Sequence, residues 1–544
     1  MSHKPFAITL DPHSSLANKT GTWRTERPVY VHRAAPCGGA CPAFEDPQAW
    51  LYHAEEGDYE AAWRRIMDDN PFPAIMGRVC YHPCETACNR AQLDETVGIN
   101  SVERFPGDAA IEHGWKVDLR AAPTGRRVLV VGAGPSGLAA AYHLRRLGHE
   151  VEIHDAGPRP GGMMRFGIPR YRLPREVLDA EIARILDLGV ALHLDSRVED
   201  LEATMGEGRF DAAFVAVGAH LAKRAHVPAG SAARMLDAVA LLRGMEEEAP
   251  PRLGRRVVVY GGGDTALDAA RTAKRLGAEE AIVVYRRTRD RMPAHDVEVE
   301  EALEEGVLMR WLSTVKHVDA GHLVVERMEL DAGGFPQPTG ELEELQADSL
   351  ILALGQVSDL GLLERIPGVA IEDGVVAVGP DLMSGRRGIF CGGDIVPADR
   401  TVTTAAGHGR TVARSIDAFL AGTTHVPAPS LEPAPFVALN TWYYADAPKT
   451  VRPHLEAVRR TSTFDEVVLG LDAETTLFEA RRCLSCGSCM ACDNCYGMCP
   501  DNAVIKLDPA GSYAYEIDLD HCKGCGICAQ ECPVGAIRME PEEI

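Results

Sequence analysis

A chain of 544 residues, 46% hydrophobic and 25% charged, is too long for one core and has the make-up of a globular protein of three or four domains. With 79 acidic against 56 basic residues its net charge is −23, which argues against nucleic acid as a partner, because phosphate binding needs a basic surface. No run of 18 apolar residues is available to span a bilayer, and the opening MSHKPFAITLDPHSS has no apolar core of signal-peptide type, so the cytoplasm is the expected location.

In that reducing compartment sixteen cysteines read as metal ligands rather than disulfides. Five lie between residues 37 and 88 and ten between 483 and 532, with Cys391 alone between the groups. The first group, Cys37-x3-Cys41-Pro42 and Cys80-x3-Cys84-x3-Cys88, flanks a stretch expected to be helical over 46–70. Asp46-Pro47 there reads as a cap followed by a first-turn proline, and Asp58 as the cap of a second helix that stops before Pro71.

From Arg127 to Asp155 the chain reads as a βαβ unit. The strand Val128–Val131 leads into Gly132-Ala-Gly134-Pro135-Ser136-Gly137, an apolar helix Leu138–Leu147, and a strand Val151–His154 closed by Asp155. In this fingerprint the glycines allow the turn, the approach of a pyrophosphate and close helix–strand packing, and the terminal acid accepts from ribose hydroxyls. A second unit follows: strand Val257–Tyr260, then Gly261-Gly-Gly263-Asp264-Thr265-Ala266, a helix to Leu276, and a strand Ala281–Tyr285 ending in Arg286-Arg287. Basic residues at that place can hold a 2′-phosphate, with Arg291 as a helper, which favours NADP(H); if they are only solvated loop charges, NAD(H) is the alternative.

Two units imply two nucleotides, and the acid-ended first suits FAD. A later segment agrees: Gly388-Ile-Phe-Cys-Gly-Gly393-Asp394 can set a carboxylate on the ribityl chain, and a helix opening at Thr403 can stabilise negative charge on a reduced flavin. Cys391, in an apolar strand, reads as a small core residue. Residues 422–480 read as a linker with a short helix, Thr475–Arg481. The runs Cys489-x2-Cys492-x2-Cys495-x3-Cys499-Pro500 and Cys522-x2-Cys525-x2-Cys528-x3-Cys532-Pro533 are bacterial ferredoxin runs, in which the fourth cysteine ligates the other cluster. One [4Fe–4S] group takes Cys489, Cys492, Cys495 and Cys532, the other Cys522, Cys525, Cys528 and Cys499.

The block from about Cys37 to Leu420 resembles the small subunit of glutamate synthase and its relatives. These include the large subunit of NADH-dependent ferredoxin:NADP oxidoreductase and the amino-terminal half of dihydropyrimidine dehydrogenase. Gly161-Gly162-Met-Met-Arg165-Phe-Gly167-Ile-Pro169 is similar to that family's flavin-side motif, and Tyr285-Arg-Arg287 with Met292-Pro293 to its NADPH loop. The thioredoxin-reductase-like branch is set aside, since no cysteine lies between Gly261 and Leu354.

The resemblance implies two [4Fe–4S] clusters in the amino-terminal helical domain, one bound by Cys41, Cys80, Cys84 and a non-cysteine ligand at Glu103. The upstream CxxC of the relatives is missing, whereas Arg482-Cys483-Leu-Ser-Cys486-Gly resembles it from the far end of the chain. Cys37, Cys88, Cys483 and Cys486 are therefore expected to hold one cluster across the domain boundary, for four clusters in all. The alternative is a single amino-terminal cluster on Cys37, Cys41, Cys80 and Cys84, which leaves three.

The expected fold class is α/β: two Rossmann-like dinucleotide-binding domains, the nicotinamide domain inserted in the FAD domain, preceded by a helical iron–sulfur domain and followed by an α+β bacterial-type ferredoxin domain. The expected boundaries are 1–123 (helical iron–sulfur), 124–220 with 357–421 (FAD), 221–356 (NAD(P)H), 422–482 (linker) and 483–544 (ferredoxin). The function implied is an NAD(P)H:acceptor oxidoreductase in a hetero-oligomer. Its FAD turns hydride into single electrons, or the reverse, for transfer to or from a ferredoxin or subunits of a 2-oxoacid oxidoreductase or sulfite-reductase type, with no acid or base side chain required. A glutamate synthase small subunit, or a non-catalytic relay or redox-sensing scaffold, are the competing readings.

Overall fold

Two runs of β-branched residues, Arg127–Val131 and Arg256–Gly261, become the central strands of two five-stranded sheets. Each run is buried on both sides, as an all-parallel sheet covered by helices requires. In this computed structural model residues 19–223, 227–230, 234–246, 251–427, 429–507 and 514–542 are described. The opening residues read for a signal segment lie outside them.

The first sheet runs Ile389–Cys391, Ala212–Val215, Arg127–Val131, Glu150–His154, Ala191–His193, all parallel. The second runs Leu308–Arg310, Glu280–Val284, Arg256–Gly261, Ser349–Ala353, Met235–Asp237, also parallel. Every strand of the second falls in sequence between two neighbouring strands of the first, Ala212–Val215 and Ile389–Cys391. A three-stranded antiparallel sheet, Ser313–Asp319, His322–Leu330 and Pro336–Gln346, is carried on the second.

The amino-terminal part is helical where its caps indicate. Asp46 accepts from Ala49 N at 3.2 Å to start Pro47–Glu55, and Asp58 from Ala61 N at 3.0 Å to start Tyr59–Ile66. The Pro73–Val79 helix is capped from outside its own region: buried Glu181 accepts from Ala74 N and Ile75 N at 3.1 and 3.0 Å. Burial pushes that carboxyl up to about 7.

The stretch read as a linker is packed onto the amino-terminal helices. Its helix, Ala473–Ala480, is followed by fully buried Arg482. That guanidinium donates to Thr96 O and Glu95 O at 2.8 Å and to Glu479 at 2.6 Å. The two ends of the chain also join: Glu26–Tyr30 pairs antiparallel with Ile537–Pro541, adding a strand to the ferredoxin fold. That fold has its own hairpin, Val504–Lys506 with Tyr515–Ile517.

Candidate functional site

At the carboxyl ends of the first sheet's strands lies a cavity of about 700 Å³, the usual place for a ligand in an open parallel sheet. Gly132, Gly134, Pro135, Ser136, Asp155, Gly162, Gly393 and Asp394 all line it. Gly132 has φ +109°, and a Cβ there would come within 2.4 Å of Ala216 O, so only glycine makes this turn. Gly137 does not reach the cavity; its missing side chain lets the helix Pro135–Arg146 sit on Gly132 O. Asp155 sits at the rim with one oxygen accepting from Ala133 N and the other from Gly157 N, both at 2.6 Å. It braces the loop and keeps further lone pairs for hydroxyl donors.

The residues fit a flavin dinucleotide. Ser136 Oγ is buried at the helix start with no protein partner, and Asp394 is buried deeply enough to push its carboxyl up, with Arg400 opposing. Two expected contacts are corrected. Arg165 is buried and turned from the cavity, donating to Pro160 O at 2.6 Å and to Asp179. Thr403 also faces away. The helix runs Val402–Leu420 with Thr401 as its cap, so Thr401, Val402 and Ala405 line the cavity while Thr403, 4% exposed, donates to Met76 Sδ (3.5 Å) and lies close enough to Cys80 to lower its thiol against the effect of burial.

The same helix brings two regions together through two glycines. A Cβ on Gly409 would meet Ser136 O at 2.5 Å, and one on Gly407 would meet Pro42 O, next to Cys41, at 1.9 Å. Two residues apart, the glycines lie on nearly opposite faces of this helix, which therefore stands between cavity-lining Ser136 and the first cysteine group.

In that group Cys41, Cys80, Cys84 and Glu103 converge. Burial pushes all three thiols up, and Cys80 and Cys41 push Cys84 further, while Glu103 acts on each. Glu103 is only 6% exposed, and Asn70 Nδ2 donates to it at 3.1 Å and to a second buried acid, Glu45, at 2.9 Å. Burial pushes both carboxyls up. Sequence reasoning missed Glu45 and Asn70, because an acid four residues after Cys41 looks the same as an ordinary helix-start acid.

Cys37, Cys88, Cys483 and Cys486 line one small buried cavity. Burial raises the Cys37 thiol far above its ordinary value, and Cys483, Cys88 and Cys486 raise it further. At the carboxyl end the crossed arrangement is present. Burial raises Cys495, and Cys489, Cys492 and Cys532 add to it. Burial brings Cys528 to about 12, with Cys522, Cys499 and Cys525 around it. Grouped thiols whose protons a bound metal ion displaces are suited to metal clusters. Backbone N–H groups already point at the sulfurs, His82 N to Cys80 at 3.3 Å and Ala536 N to Cys532 at 3.3 Å. Cys391 is fully buried in its strand, apart from every group.

In the second sheet, Gly263 caps the helix Asp264–Arg275, and nothing lies within 4 Å of a Cβ placed on Gly263. Ala266 is buried in that helix, and Thr265 Oγ1 accepts from Gln356 Nε2 at 3.1 Å. The Gln356 carbonyl in turn accepts from Arg400, which lines the flavin-sized cavity. Gly261 ends its strand against Ala353 O. Arg286 and Arg291 are exposed, Arg291 3.6 Å from Asp290, and Arg287 keeps a buried Nε without a partner. Asp264 points sideways, held by His295 and by Tyr81 from the cysteine loop.

Residues 126–409 match the family described as pyridine nucleotide-disulphide oxidoreductase. Residues 15–115 match dihydropyrimidine dehydrogenase domain II, 4Fe-4S cluster, and 488–536 a 4Fe-4S dicluster domain. The chain is 34% identical over 506 residues to the NADP(+)-dependent formate dehydrogenase subunit beta of Moorella thermoacetica, covering 83% of this chain and 70% of that one. It is 34% identical over 520 residues to the NADPH-Fe(3+) oxidoreductase subunit beta of Geobacter sulfurreducens, covering 85% and 77%. Against the NAD-dependent dihydropyrimidine dehydrogenase subunit PreT of Escherichia coli (strain K12) the figures are 32% over 394 residues, 71% and 92%. Among the described residues no helix is long and apolar enough to cross a membrane.

Proposed function

Since this chain belongs to the pyridine nucleotide-disulphide oxidoreductase family and is an NAD(P)H-dependent flavin oxidoreductase with 4Fe-4S domains at both ends, we propose that it is the flavin subunit of a hetero-oligomer that exchanges electrons with a partner subunit through four [4Fe–4S] clusters. Gly132, Gly134, Pro135, Ser136, Asp155, Gly162, Gly393 and Asp394 hold FAD. The first turn of the Asp264–Arg275 helix holds the nicotinamide dinucleotide. FAD, when bound, supplies the exchange between the electron pair of a hydride and single electrons, which no side chain of the chain can perform. The domain division set out above, and the likeness to the glutamate synthase small subunit, belong to the same reading.

One observation carries the four-cluster count: Cys37, Cys88, Cys483 and Cys486, from the two ends of the chain, line one buried cavity. The cluster near the cavity takes Cys41, Cys80, Cys84 and Glu103, and the ferredoxin pair takes the crossed runs. The spacing supports a continuous relay. Successive groups are joined by Cys37/Cys41, Cys84/Cys88, Cys486/Cys489, Cys495/Cys499 and Cys528/Cys532, three or four residues apart. At most about 3.6 Å per residue, that keeps neighbouring ligand Cα atoms within about 14 Å. Cys492 and Cys525 are exposed, which gives both ferredoxin clusters a face to solvent or a partner.

Arg286 and Arg287 support NADPH over NADH, as do two relatives whose names specify NADP(H). Those names also support a formate dehydrogenase or another oxidoreductase as partner class. The test is anaerobic purification with iron, sulfide and flavin analysis, then reduction of a viologen dye with each nucleotide. Sixteen irons and one FAD per chain, with NADPH the faster donor, are expected. Twelve irons would remove the bridging cluster, and no dye reduction with either nucleotide would remove the enzymatic reading.

A further inference from the structure

The loop that presents Cys80 also touches the nucleotide domain. Tyr81 lays its ring on the imidazole of His295, with centroids 3.3 Å apart and planes 6° from parallel. Its hydroxyl donates to Asp264 Oδ2 at 3.1 Å. His295 holds the same carboxylate, Nδ1 lying 2.9 Å from Oδ2 and the backbone N donating to Oδ1 at 3.0 Å. Asp264 is the first residue of the Asp264–Arg275 helix, whose N-terminus is where a dinucleotide's phosphates settle. A carboxylate and a phosphate compete for that positive helix end. The three donors take up the acid's charge and aim it aside. A phosphate arriving beside it acts on the carboxylate and so on Tyr81 and His295.

On its other side Tyr81 is the middle residue of a tight loop. His82 N donates back to Cys80 Sγ at 3.3 Å, and His82 holds a left-handed backbone with φ +41°. A shift of the Tyr81 backbone changes that N–H to sulfur bond, and hydrogen bonds to cysteine sulfurs help set a cluster's potential. Arg172 fixes the neighbourhood from a third region, donating to Asp268 of the same helix at 2.9 Å and reaching the Tyr81 hydroxyl at 3.5 Å.

We infer that Tyr81 is a positioning residue that couples the nicotinamide-dinucleotide site to the cluster bound at Cys80, so that the occupancy of one and the redox state of the other influence each other. The inference rests on the reading above, in which Cys80 is a cluster ligand and the Asp264 helix takes the nucleotide. Linkage makes it reciprocal: if NADP⁺ alters the reduced cluster, reduction alters NADP⁺ affinity by the same factor.

The test uses anaerobic holoprotein with NADP⁺ as the probe. Two quantities are measured: the electron paramagnetic resonance spectrum of the reduced clusters with and without NADP⁺, and the NADP⁺ dissociation constant of oxidised and reduced protein by equilibrium dialysis. The wild-type spectrum should shift on binding, and the two constants should differ by at least about fivefold, the low end of site-to-site coupling. Tyr81→Ala, with full iron and flavin, should lose the spectral shift and bring the ratio toward one. Tyr81→Phe, which keeps the ring stack and loses the hydroxyl, should lose part of both. A shift and a ratio that persist in Tyr81→Ala overturn the inference, as does NADP⁺ binding to the wild type without either effect. Failure of NADP⁺ to bind the wild type removes the nucleotide site itself, and the inference with it.

Discussion

Thr403 stands where the flavin-sized cavity gives way to the first cysteine group, and replacing it with valine removes a hydroxyl while nearly keeping the shape. The hydroxyl donates to Met76 Sδ at 3.5 Å and lies close enough to Cys80 to lower its thiol, and once Cys80 is a thiolate ligand it is the stronger acceptor. A donor to a cluster sulfur stabilises the more negative, reduced state and so raises the potential. A neutral hydrogen bond contributes about 1 kcal/mol. For one electron a tenfold change in equilibrium is about 59 mV, so the potential should fall by about 40 mV. A redox titration followed by electron paramagnetic resonance, on Thr403→Val and wild type side by side, reads the shift. The iron count should not change, because Thr403 is not a ligand. An unchanged or higher potential, with full iron, would refute the placement of the hydroxyl on the Cys80 side.

Cys483→Ser with Cys486→Ser should lose about four irons per chain and loosen the amino-terminal helices from residues 434–486, whereas Cys391→Ala should keep all iron; metal analysis and thermal melting separate the two. Arg286→Ala with Arg287→Ala should lower kcat/KM for NADPH tenfold or more, a charged hydrogen bond being worth about 1.5–3 kcal/mol, and leave NADH nearly unchanged; an equal loss with both nucleotides would contradict a 2′-phosphate site. Burial pushes the Glu181 carboxyl up to about 7, against about 4.3 for an unfolded glutamate, so the folded chain holds its proton where the unfolded chain has lost it. That contribution is fully present below about pH 4 and is lost as pH rises through 7. Glu181→Gln should flatten this part of the stability profile, read as melting temperature from pH 5 to 8, and cost about 1 kcal/mol, since glutamine offers one oxygen to two backbone N–H groups.

The local chemistry was legible in the chain. Gly132 must be glycine because its φ is positive and Ala216 O fills the place of a side chain, and the strand and helix on either side follow from hydrophobic period and caps. The crossed ferredoxin runs and the helix starts at Asp46 and Asp58 are short-range patterns, and such patterns are written in consecutive residues. Direction within a helix was less legible. Thr403 is one residue from the cavity-lining Val402, yet a 100° step around the helix turns it to Cys80.

What the sequence could suggest but not place was the meeting of its two ends. Leftover cysteines at 37 and 88 and at 483 and 486 made a shared site countable, but some 400 residues of chain lie between them. Only the packing of Ala473–Ala480 and Arg482 on the amino-terminal helices, and the pairing of Glu26–Tyr30 with Ile537–Pro541, brings them together. Glu45, Asn70, Tyr81 and His295 belong to the same class. Each is an ordinary residue in its own segment, and it gains a role only from a neighbour that another part of the fold supplies, because burial and proximity are properties of the folded chain and not of any stretch of it.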